Sequence, residues 1–298
     1  MTILSGSIQN LLLYITTILI WGSSWLAIKL QLGYVDPMVS VAYRFLLASG
    51  ISWIYCHYSG RLMRFGLQDH LFMSLQGTFL FSLNYLLFYI SELTLTSGLA
   101  AVIFSNLVVM NMLNGIIFLK NRFEVRMGVG ASLGLAGILM VFWPEITDFE
   151  MGDENLSAAA IAVLATFLAS LGNIVSARNQ QNGIPVIEAN TYGMTYGALL
   201  MLALSFASGK EFTIEMTATY IGSLLFLSVF ASIFAFLSYL TLLGRGGGER
   251  GAYSTLLFPL VALGISTVFE GYHWSAYAGA GVALILTGNL LILRRSSN

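Results

Sequence analysis

Charged residues are scarce in this sequence: they make up 9% of its 298 residues, whereas hydrophobic residues make up 57%. A soluble domain carries about 25% charged residues, which it needs to cover an aqueous surface. The mean hydropathy of +0.81 agrees with a surface that faces lipid. The composition therefore argues against a water-soluble globular protein and predicts an integral membrane protein.

Cysteine is nearly absent as well. The single residue, Cys56, excludes an intramolecular disulfide and any CxxC metal or redox site. The net charge of −1 gives no indication of nucleic acid as a partner. The residues before the first apolar run contain no Lys or Arg, and no small-residue cleavage site follows. We therefore expect that run to be retained as a membrane span rather than removed as a signal peptide.

Long apolar runs are the main feature of the chain. A membrane span needs about 20 apolar residues, because a helix rises 1.5 Å per residue across roughly 30 Å of hydrocarbon. The runs are too long and too continuously apolar for barrel strands, which alternate over about ten residues. We predict ten spans, at residues 10–30, 38–57, 70–91, 97–119, 127–143, 157–177, 186–207, 218–242, 251–269 and 274–293.

Lys and Arg are unevenly distributed between alternate loops. Ten of the thirteen basic residues lie in the even-numbered loops and the C-terminal tail, whereas the odd-numbered loops are mainly acidic. Basic loops stay on the cytoplasmic side of a membrane. The sequence therefore predicts a multi-pass protein with both termini in the cytoplasm.

An internal repeat divides the chain into two halves. A shift of 150 positions places Ser82 on Ser232 and Tyr89 on Tyr239. Because each half has an odd number of spans, the halves would be inverted, as in many secondary transporters. We expect an all-α fold of ten transmembrane helices in two inverted five-helix repeats around a central cavity. The expected parts are a first repeat at 1–144, an acidic periplasmic linker at 145–156 and a second repeat at 157–298.

Two motifs that are typical of enzymes occur without the context that they need. Gly130–Gly134 fits GxSxG but lies inside an apolar helix, whereas a nucleophile elbow needs a strand-to-helix turn. We expect a close helix contact through Gly130 and Gly134 instead. Gly246, Gly248 and Gly251 fit GxGxxG without a preceding strand, so we expect a flexible cytoplasmic turn. An intramembrane enzyme is therefore disfavoured.

Polar side chains form stripes on several predicted helices. Such stripes can line an aqueous cavity, or they can form hydrogen bonds between helices, which also favours Ser, Thr and Asn. Because several helices carry a stripe, we expect a common cavity whose aromatic residues suit an apolar or aromatic ligand group. The candidate substrate-binding residues are Trp21, Ser24, Trp25, Thr78, Ser82, Tyr85, Tyr89, Asn106, Ser170, Asn173, Ser232 and Tyr239.

Charged side chains within spans are few. Arg44 lies seven residues after Pro37, about 10 Å into its helix, where it is either functional or a structural arginine. Lys29 lies near a helix end, and we expect its ammonium to extend towards the interface. Glu188 lies in the first turn after Pro185, where the positive helix end favours a carboxylate.

What the spans lack also limits the function. No span has a central Asp or Glu, and all three histidines lie at predicted helix ends. Because a proton carrier needs a pKa near the working pH, we predict transport that is facilitative or only indirectly coupled. The spans hold no cluster of bases, so we expect a neutral or zwitterionic solute. No cofactor, metal or protein partner is indicated.

Three short motifs occur in order along the chain. They are Trp21–Trp25 before Lys29, Tyr43–Ala48 around Arg44, and Phe258–Leu260 before Glu270. Their order, together with ten spans and a five-plus-five repeat, resembles the EamA group of the drug/metabolite transporter superfamily. More narrowly, the chain resembles the YddG-type amino-acid exporters of bacterial inner membranes.

This resemblance implies an inner-membrane exporter of aromatic and other apolar amino acids, or of similar metabolites, that works by alternating access. We expect structural or gating roles for Lys29, Arg44, Glu188 and Pro259. The two halves differ, because Lys120 and Val109 occupy the positions of Glu270 and Pro259. A multidrug or other metabolite exporter and a channel-like pore remain alternatives.

The distribution of basic residues gives the first testable prediction. In a Cys56→Ala background, Asp148→Cys should react with a membrane-impermeant thiol reagent applied outside, and Arg245→Cys should be protected. Labelling at both positions, or the opposite pattern, would reject the predicted orientation.

Overall fold

The structure is a computed structural model that describes residues 6–120, 125–141, 143, 154–236, 238 and 248–293. Every regular element in these residues is helical. In chain order the elements are α1 (Gly6–Lys29), α2 (Pro37–Tyr58), α3 (Leu67–Thr78), π1 (Phe79–Leu83), α4 (Asn84–Ser91), α5 (Ser97–Ser105), α6 (Leu107–Leu119), α7 (Val125–Val141), α8 (Glu154–Gln181), α9 (Val186–Ala207), α10 (Ala218–Leu225), π2 (Phe226–Phe234), α11 (Gly248–Phe269) and α12 (Ala276–Leu293).

Each predicted span overlaps one of these helices or an unbroken run of them. The chain is a multi-pass membrane protein, since several helices are long and apolar enough to cross a bilayer. The count of ten spans stays a prediction. Within the described residues, the five stretches that meet the length and hydropathy of a span are Gln9–Lys29, Pro37–Tyr58, Leu67–Ser91, Ser97–Leu119 and Glu154–Gln181.

Other sequence-based expectations concern the glycine-rich segment at the start of α11 and residues that the structure does not describe. Gly248 and Gly251 lie in α11, so the expectation of a flexible turn is wrong for these two residues. Their backbone continues the helix that carries the FPL motif, and a helix already satisfies the backbone groups. The topology markers Arg122, Asp148, Arg245 and Arg294, together with Gly246, lie outside the described residues.

Helix starts follow local sequence rules. Asp36 accepts a hydrogen bond from the backbone N–H of Met38 at 2.9 Å, and Pro37 occupies the first turn of α2. Proline suits this position because the first N–H groups of a helix lack intrahelical acceptors. Thr96 and Thr217 cap α5 and α10 in the same way. These caps set the ends of the loops between spans.

Glycines allow close contact between helix backbones. A Cβ atom added at Gly288 of α12 would lie 2.4 Å from the carbonyl oxygen of Gly130 and 2.9 Å from the nitrogen of Gly134. The predicted close contact through these two residues of α7 is therefore confirmed. A second contact joins α3 to α9, where a Cβ added at Gly77 would lie 2.3 Å from the carbonyl oxygen of Gly193.

The two π-helices share one local device. In π1 the Ser82 hydroxyl donates to the carbonyl of Gly77 at 3.1 Å, five residues earlier. In π2 the Ser232 hydroxyl donates to the carbonyl of Leu227 at 2.9 Å, again five residues earlier. The serines are the pair that the 150-residue shift superposes. In each case the serine hydroxyl donates to a backbone carbonyl that would accept from an N–H group in a regular α-helix. This bond stabilises a wider helical turn at matching positions of the two halves.

The contacts between helices are related to one another by an exchange of the two halves of the chain. The helix α2 packs against α9, and α7 packs against α12. The helix α1 packs against α11, as α8 packs against α6. Each pairing maps onto itself or onto its counterpart when the two halves are exchanged. The inverted repeat as a whole stays a prediction.

The contact between α3 and α9 yields a second testable prediction. Gly77→Ala should lower the thermal unfolding temperature in detergent, since overpacking costs about 1–3 kcal/mol. Gly50→Ala is the matched control, because a Cβ added there meets no atom within 4 Å. That control should keep or raise the unfolding temperature, since Ala favours helix by about 1 kcal/mol over Gly. Equal shifts in the two variants would contradict the packing.

Candidate functional site

A cavity of about 170 Å³ lies among helices of both halves of the chain. It has room for several water molecules or for one small solute. Its walls come from α1, π1, α4, α5, α6, α8 and α11 and from the residues that follow π2. The lining residues are Trp21, Ser24, Trp25, Ile28, Leu80, Asn84, Tyr85, Phe88, Phe104, Leu107, Asn111, Asn173, Phe236 and Phe258.

Aromatic rings form most of the cavity wall. The indole of Trp25 contacts Phe88 edge-on with ring centroids 5.0 Å apart, and Phe104 with centroids 5.4 Å apart. One turn earlier in α1, Trp21 contacts Phe236 edge-on with ring centroids 5.4 Å apart, and its Nε1 donates to the carbonyl of Ala231 at 3.3 Å. Edge-to-face packing of this kind fixes ring orientation. The wall is thus rigid and suits an apolar or aromatic group.

Three amides contribute polar groups to the cavity, beside the hydroxyls of Ser24 and Tyr85. The Nδ2 of Asn173 on α8 donates to Oδ1 of Asn111 on α6 at 3.3 Å. Asn84 of α4 is buried, and its Oδ1 has no hydrogen-bond partner. An unpaired buried carbonyl costs about 1–3 kcal/mol, which a donor on a bound solute would offset. Asn84 is therefore the strongest candidate for contact with a polar group of the solute.

Arg44 lies beside the cavity rather than in its lining. Its Nε donates to the hydroxyl of Ser232 at 3.4 Å, and its guanidinium lies 4.3 Å from the ring centroid of Tyr85. The side chain is buried, and one terminal nitrogen, Nη1, has no partner. The structure thus favours an arginine held by a hydroxyl and an aromatic ring over one that extends to the interface. Tyr85 separates its charge from the cavity.

Of the predicted substrate-binding residues, the structure places five on this cavity: Trp21, Ser24, Trp25, Tyr85 and Asn173. Tyr239 lies outside the described residues. The residues that do not line the cavity are Thr78, Ser82, Tyr89, Asn106, Ser170 and Ser232.

The hydrogen bonds of these residues explain the difference. Ser82 donates to the carbonyls of its own helix, and the Tyr89 hydroxyl donates to Oε1 of Gln31. Ser170 accepts from Nδ2 of Asn114 at 2.8 Å, which joins α8 to α6. For these residues, hydrogen bonding within the protein, the alternative left open by the sequence, is what the structure shows.

The π-helix explains why the face of the third span was predicted incorrectly. A period of 3.6 residues carries the polar stripe through Ser82 to Tyr89. The wider turn of π1 adds a residue to the helix and rotates everything that follows. The face on the cavity is Leu80, Asn84, Tyr85 and Phe88, which shares only Tyr85 with the predicted stripe. Only the i−5 serine bond, which requires coordinates, reveals this rotation.

Other lining residues were also missed from the sequence. Asn111 lies on the polar side of the fourth span and could have been chosen on that pattern. No polar stripe in the sequence distinguishes Phe88, Phe104 and Phe236 from the other apolar residues of their spans. Phe258 lies next to Pro259 in the FPL motif, and Pro259 itself lies inside α11 without lining the cavity.

The two remaining charged candidates are held by specific partners. Nζ of Lys29 donates to the backbone carbonyls of Glu92 and of Leu95, the latter at 3.1 Å, in the turn between α4 and α5; its extension towards the interface stays a prediction. Glu188 forms an ion pair with Arg61 at 3.0 Å, which joins α9 to the residues after α2. Both residues tie separate segments together at helix ends.

Apolar helices around a partly aromatic cavity, as the described residues show, agree with a small-molecule transporter. Models of the EamA-like transporter family match residues 9–143 and 156–294, and the chain belongs to that family. Its function is therefore transport across a membrane.

Several proteins are similar along nearly the whole chain. Protein PagO of Salmonella typhimurium is 22% identical and covers 95% of this chain and 92% of its own length. The "Uncharacterized transporter YvbV" of Bacillus subtilis is 27% identical, with 97% and 92% covered. The "Probable amino-acid metabolite efflux pump" of Salmonella typhimurium is 23% identical, with 93% and 92% covered.

A solved crystal structure of another protein superposes with a TM-score of 0.66 and covers 96% of both chains. Its sequence identity is 16%, so this likeness shows the fold alone.

The two serines provide a third testable prediction. Ser24 lines the cavity and Ser82 does not. In a Cys56→Ala background, Ser24→Cys should react with a small thiol reagent, and a transported solute should slow that reaction. Ser82→Cys should react far more slowly, because its side chain is enclosed between helices. Equal reaction rates, or no protection at position 24 by any solute that is transported, would contradict the assigned cavity.

Proposed function

We propose that the chain exports amino acids with aromatic or other apolar side chains, or similar small neutral metabolites, across a bacterial inner membrane. The observation that carries this proposal is the composition of the cavity. Seven of its lining residues are aromatic, three are asparagines, and none of the lining residues in the described part of the chain is ionised.

The cavity chemistry selects the solute class. An aromatic or aliphatic side chain gains free energy by leaving water for a wall of rings. The amides can hydrogen-bond to an ammonium and a carboxylate without changing the charge of the cavity. A solute with net charge would lack a counter-ion among the lining side chains, and this desolvation would be costly. A zwitterionic amino acid with an apolar side chain can therefore contact both the aromatic rings and the amides of the cavity.

The transport mode that we propose is alternating access. Two observations support it. The helix pairings have counterparts when the two halves are exchanged, and each half has a π-helix at a matching position. Related segments of the two halves can therefore exchange their packing arrangements. The proposal includes ten spans, two inverted repeats at 1–144 and 157–298, and both termini in the cytoplasm. The amino-acid class also agrees with the printed name of the Salmonella efflux pump at 23% identity.

Purified protein in liposomes tests the function. With an excess of one unlabelled amino acid inside, a labelled amino acid outside should enter by saturable counterflow. Aromatic and branched apolar amino acids should compete best, and acidic or basic ones least. Uptake that rises linearly with concentration would indicate a channel-like pore. Competition by bulky cations, with no amino acid transported, would favour a multidrug exporter.

Asn84 gives the fourth testable prediction. Asn84→Ala should raise the half-saturation concentration for counterflow about fivefold, since a neutral hydrogen bond contributes about 1 kcal/mol. Protein stability should change little, because Oδ1 of Asn84 has no partner to lose. The matched control is Asn182→Ala, an exposed amide after α8, which should leave the half-saturation concentration unchanged. An unchanged value in Asn84→Ala would contradict its role in binding.

A further inference from the structure

Glu92 is a buried acid that the cavity does not use. It lies one residue beyond the span Leu67–Ser91, at the C-terminal end of α4, and its side chain has no exposed surface. Neither carboxyl oxygen has a hydrogen-bond partner. An ionised carboxylate in this position would be strongly destabilising, so the unpaired group is best accommodated with a proton bound.

Lys29 lies next to this acid but does not neutralise it. Its ammonium donates to the backbone carbonyls of Glu92 and Leu95 rather than to the carboxyl group. The lysine therefore has a second available partner, the Glu92 side chain, once that side chain loses a proton. A small shift of α1 relative to α4 would exchange one partner for the other.

The two residues lie at one end of the cavity. Glu92 follows the lining residue Phe88 by four positions, and its N–H donates to the Phe88 carbonyl at 2.9 Å. Lys29 likewise follows the lining residue Trp25 by four positions in α1. Residues four apart lie on the same helix face. The pair is therefore one turn above the aromatic wall, on the side that the loop charges assign to the periplasm.

A third helix closes the same end. The carboxylate of Glu270, after α11, accepts hydrogen bonds from the backbone N–H of Ser97 at 3.1 Å and from its hydroxyl. This bond ties the end of α11 to the start of α5. The ends of α1, α4 and α11 thus meet α5 above the cavity, and we call Lys29, Glu92, Ser97 and Glu270 the roof cluster.

Charged groups on three neighbouring elements act on the Glu92 carboxyl. Lys29 of α1 and Arg44 of α2 favour its ionised form, whereas Glu270 after α11 favours its neutral form. Burial is the largest influence and raises the pKa of Glu92 well above its usual range. The opposing contributions make its protonation sensitive to small movements of α1 and α11.

We propose that Glu92 binds and releases one proton in each transport cycle, and that proton entry drives solute export. The carboxylate takes a proton from water on the periplasmic side and becomes a neutral acid, while Lys29 moves to the backbone carbonyls and the roof closes. The acid returns the proton to water on the cytoplasmic side, and the carboxylate then pairs with Lys29. This inference rests on the proposed function and replaces the expectation of facilitative transport.

The test is accumulation in proteoliposomes under an imposed pH gradient. Exchange of one proton for one neutral solute should accumulate the solute on the acidic side about tenfold per pH unit, since one unit is worth 1.36 kcal/mol. In Glu92→Gln the ratio should fall to about one while counterflow persists, which also shows that the variant is folded. Glu92→Asp should restore part of the accumulation. The matched control Glu211→Gln changes an exposed acid and should accumulate like wild type.

The outcomes separate this inference from the proposed function. Counterflow without accumulation in the wild type, or accumulation that survives in Glu92→Gln, would overturn the role of Glu92 and leave the function intact. Absence of counterflow for every amino acid would instead remove the proposed function. Infrared spectroscopy then still decides: a carboxylic-acid carbonyl band at neutral pH should be present in the wild type and in Glu211→Gln and absent in Glu92→Gln. Its persistence in Glu92→Gln would overturn the inference.

Discussion

The absence of water from the hydrocarbon layer is the constraint on which this structure depends. Every polar group in a span needs a partner within the protein, because lipid offers none. Most hydroxyls meet this need locally: Thr166 donates to the Ala162 carbonyl at 2.8 Å, and Ser82 and Ser232 donate to carbonyls of their own helices. Amides instead join helices, as Asn114 does with Ser170. Many residues of the polar stripes therefore form hydrogen bonds within the protein rather than line the cavity.

The groups that remain unpaired are therefore informative. Three of the residues with such groups lie around the cavity: Oδ1 of Asn84, Nη1 of Arg44 and both oxygens of Glu92 are buried without partners. They differ in location: Asn84 faces the aromatic cavity, Arg44 lies behind Tyr85, and Glu92 lies above Phe88. A neutral acceptor thus faces the solute site, whereas the groups that carry or can acquire charge are kept one layer away. This separation suits a cavity for a solute without net charge.

The helices could be predicted from the sequence because each span is a self-contained unit in lipid. Pro37 indicates a helix start, and Gly130 indicates a close contact between helices, because each follows a local sequence rule. The cavity could be predicted only in part. Trp21, Ser24 and Trp25 share an uninterrupted helix face, whereas π1 rotates the face that carries Asn84. The burial of Glu92 depends on α1 and α11, which are distant in sequence, so the residue looked like an ordinary loop acid.

The position of Glu92 determines how proton and solute could be coupled. In a carrier where both ligands compete for one carboxylate, coupling follows from direct displacement. Here the carboxyl lies outside the cavity lining, so the two ligands can communicate only through the conformation of the roof cluster. Linkage requires that a solute which favours the state with Glu92 ionised and paired to Lys29 lowers proton affinity by the same factor by which protonation lowers solute affinity, and an exchange of proton for solute needs this mutual exclusion. The contacts available for this coupling are the Lys29 bonds to the α4–α5 turn, since they join the helix that carries Trp25 to the helix that carries Phe88.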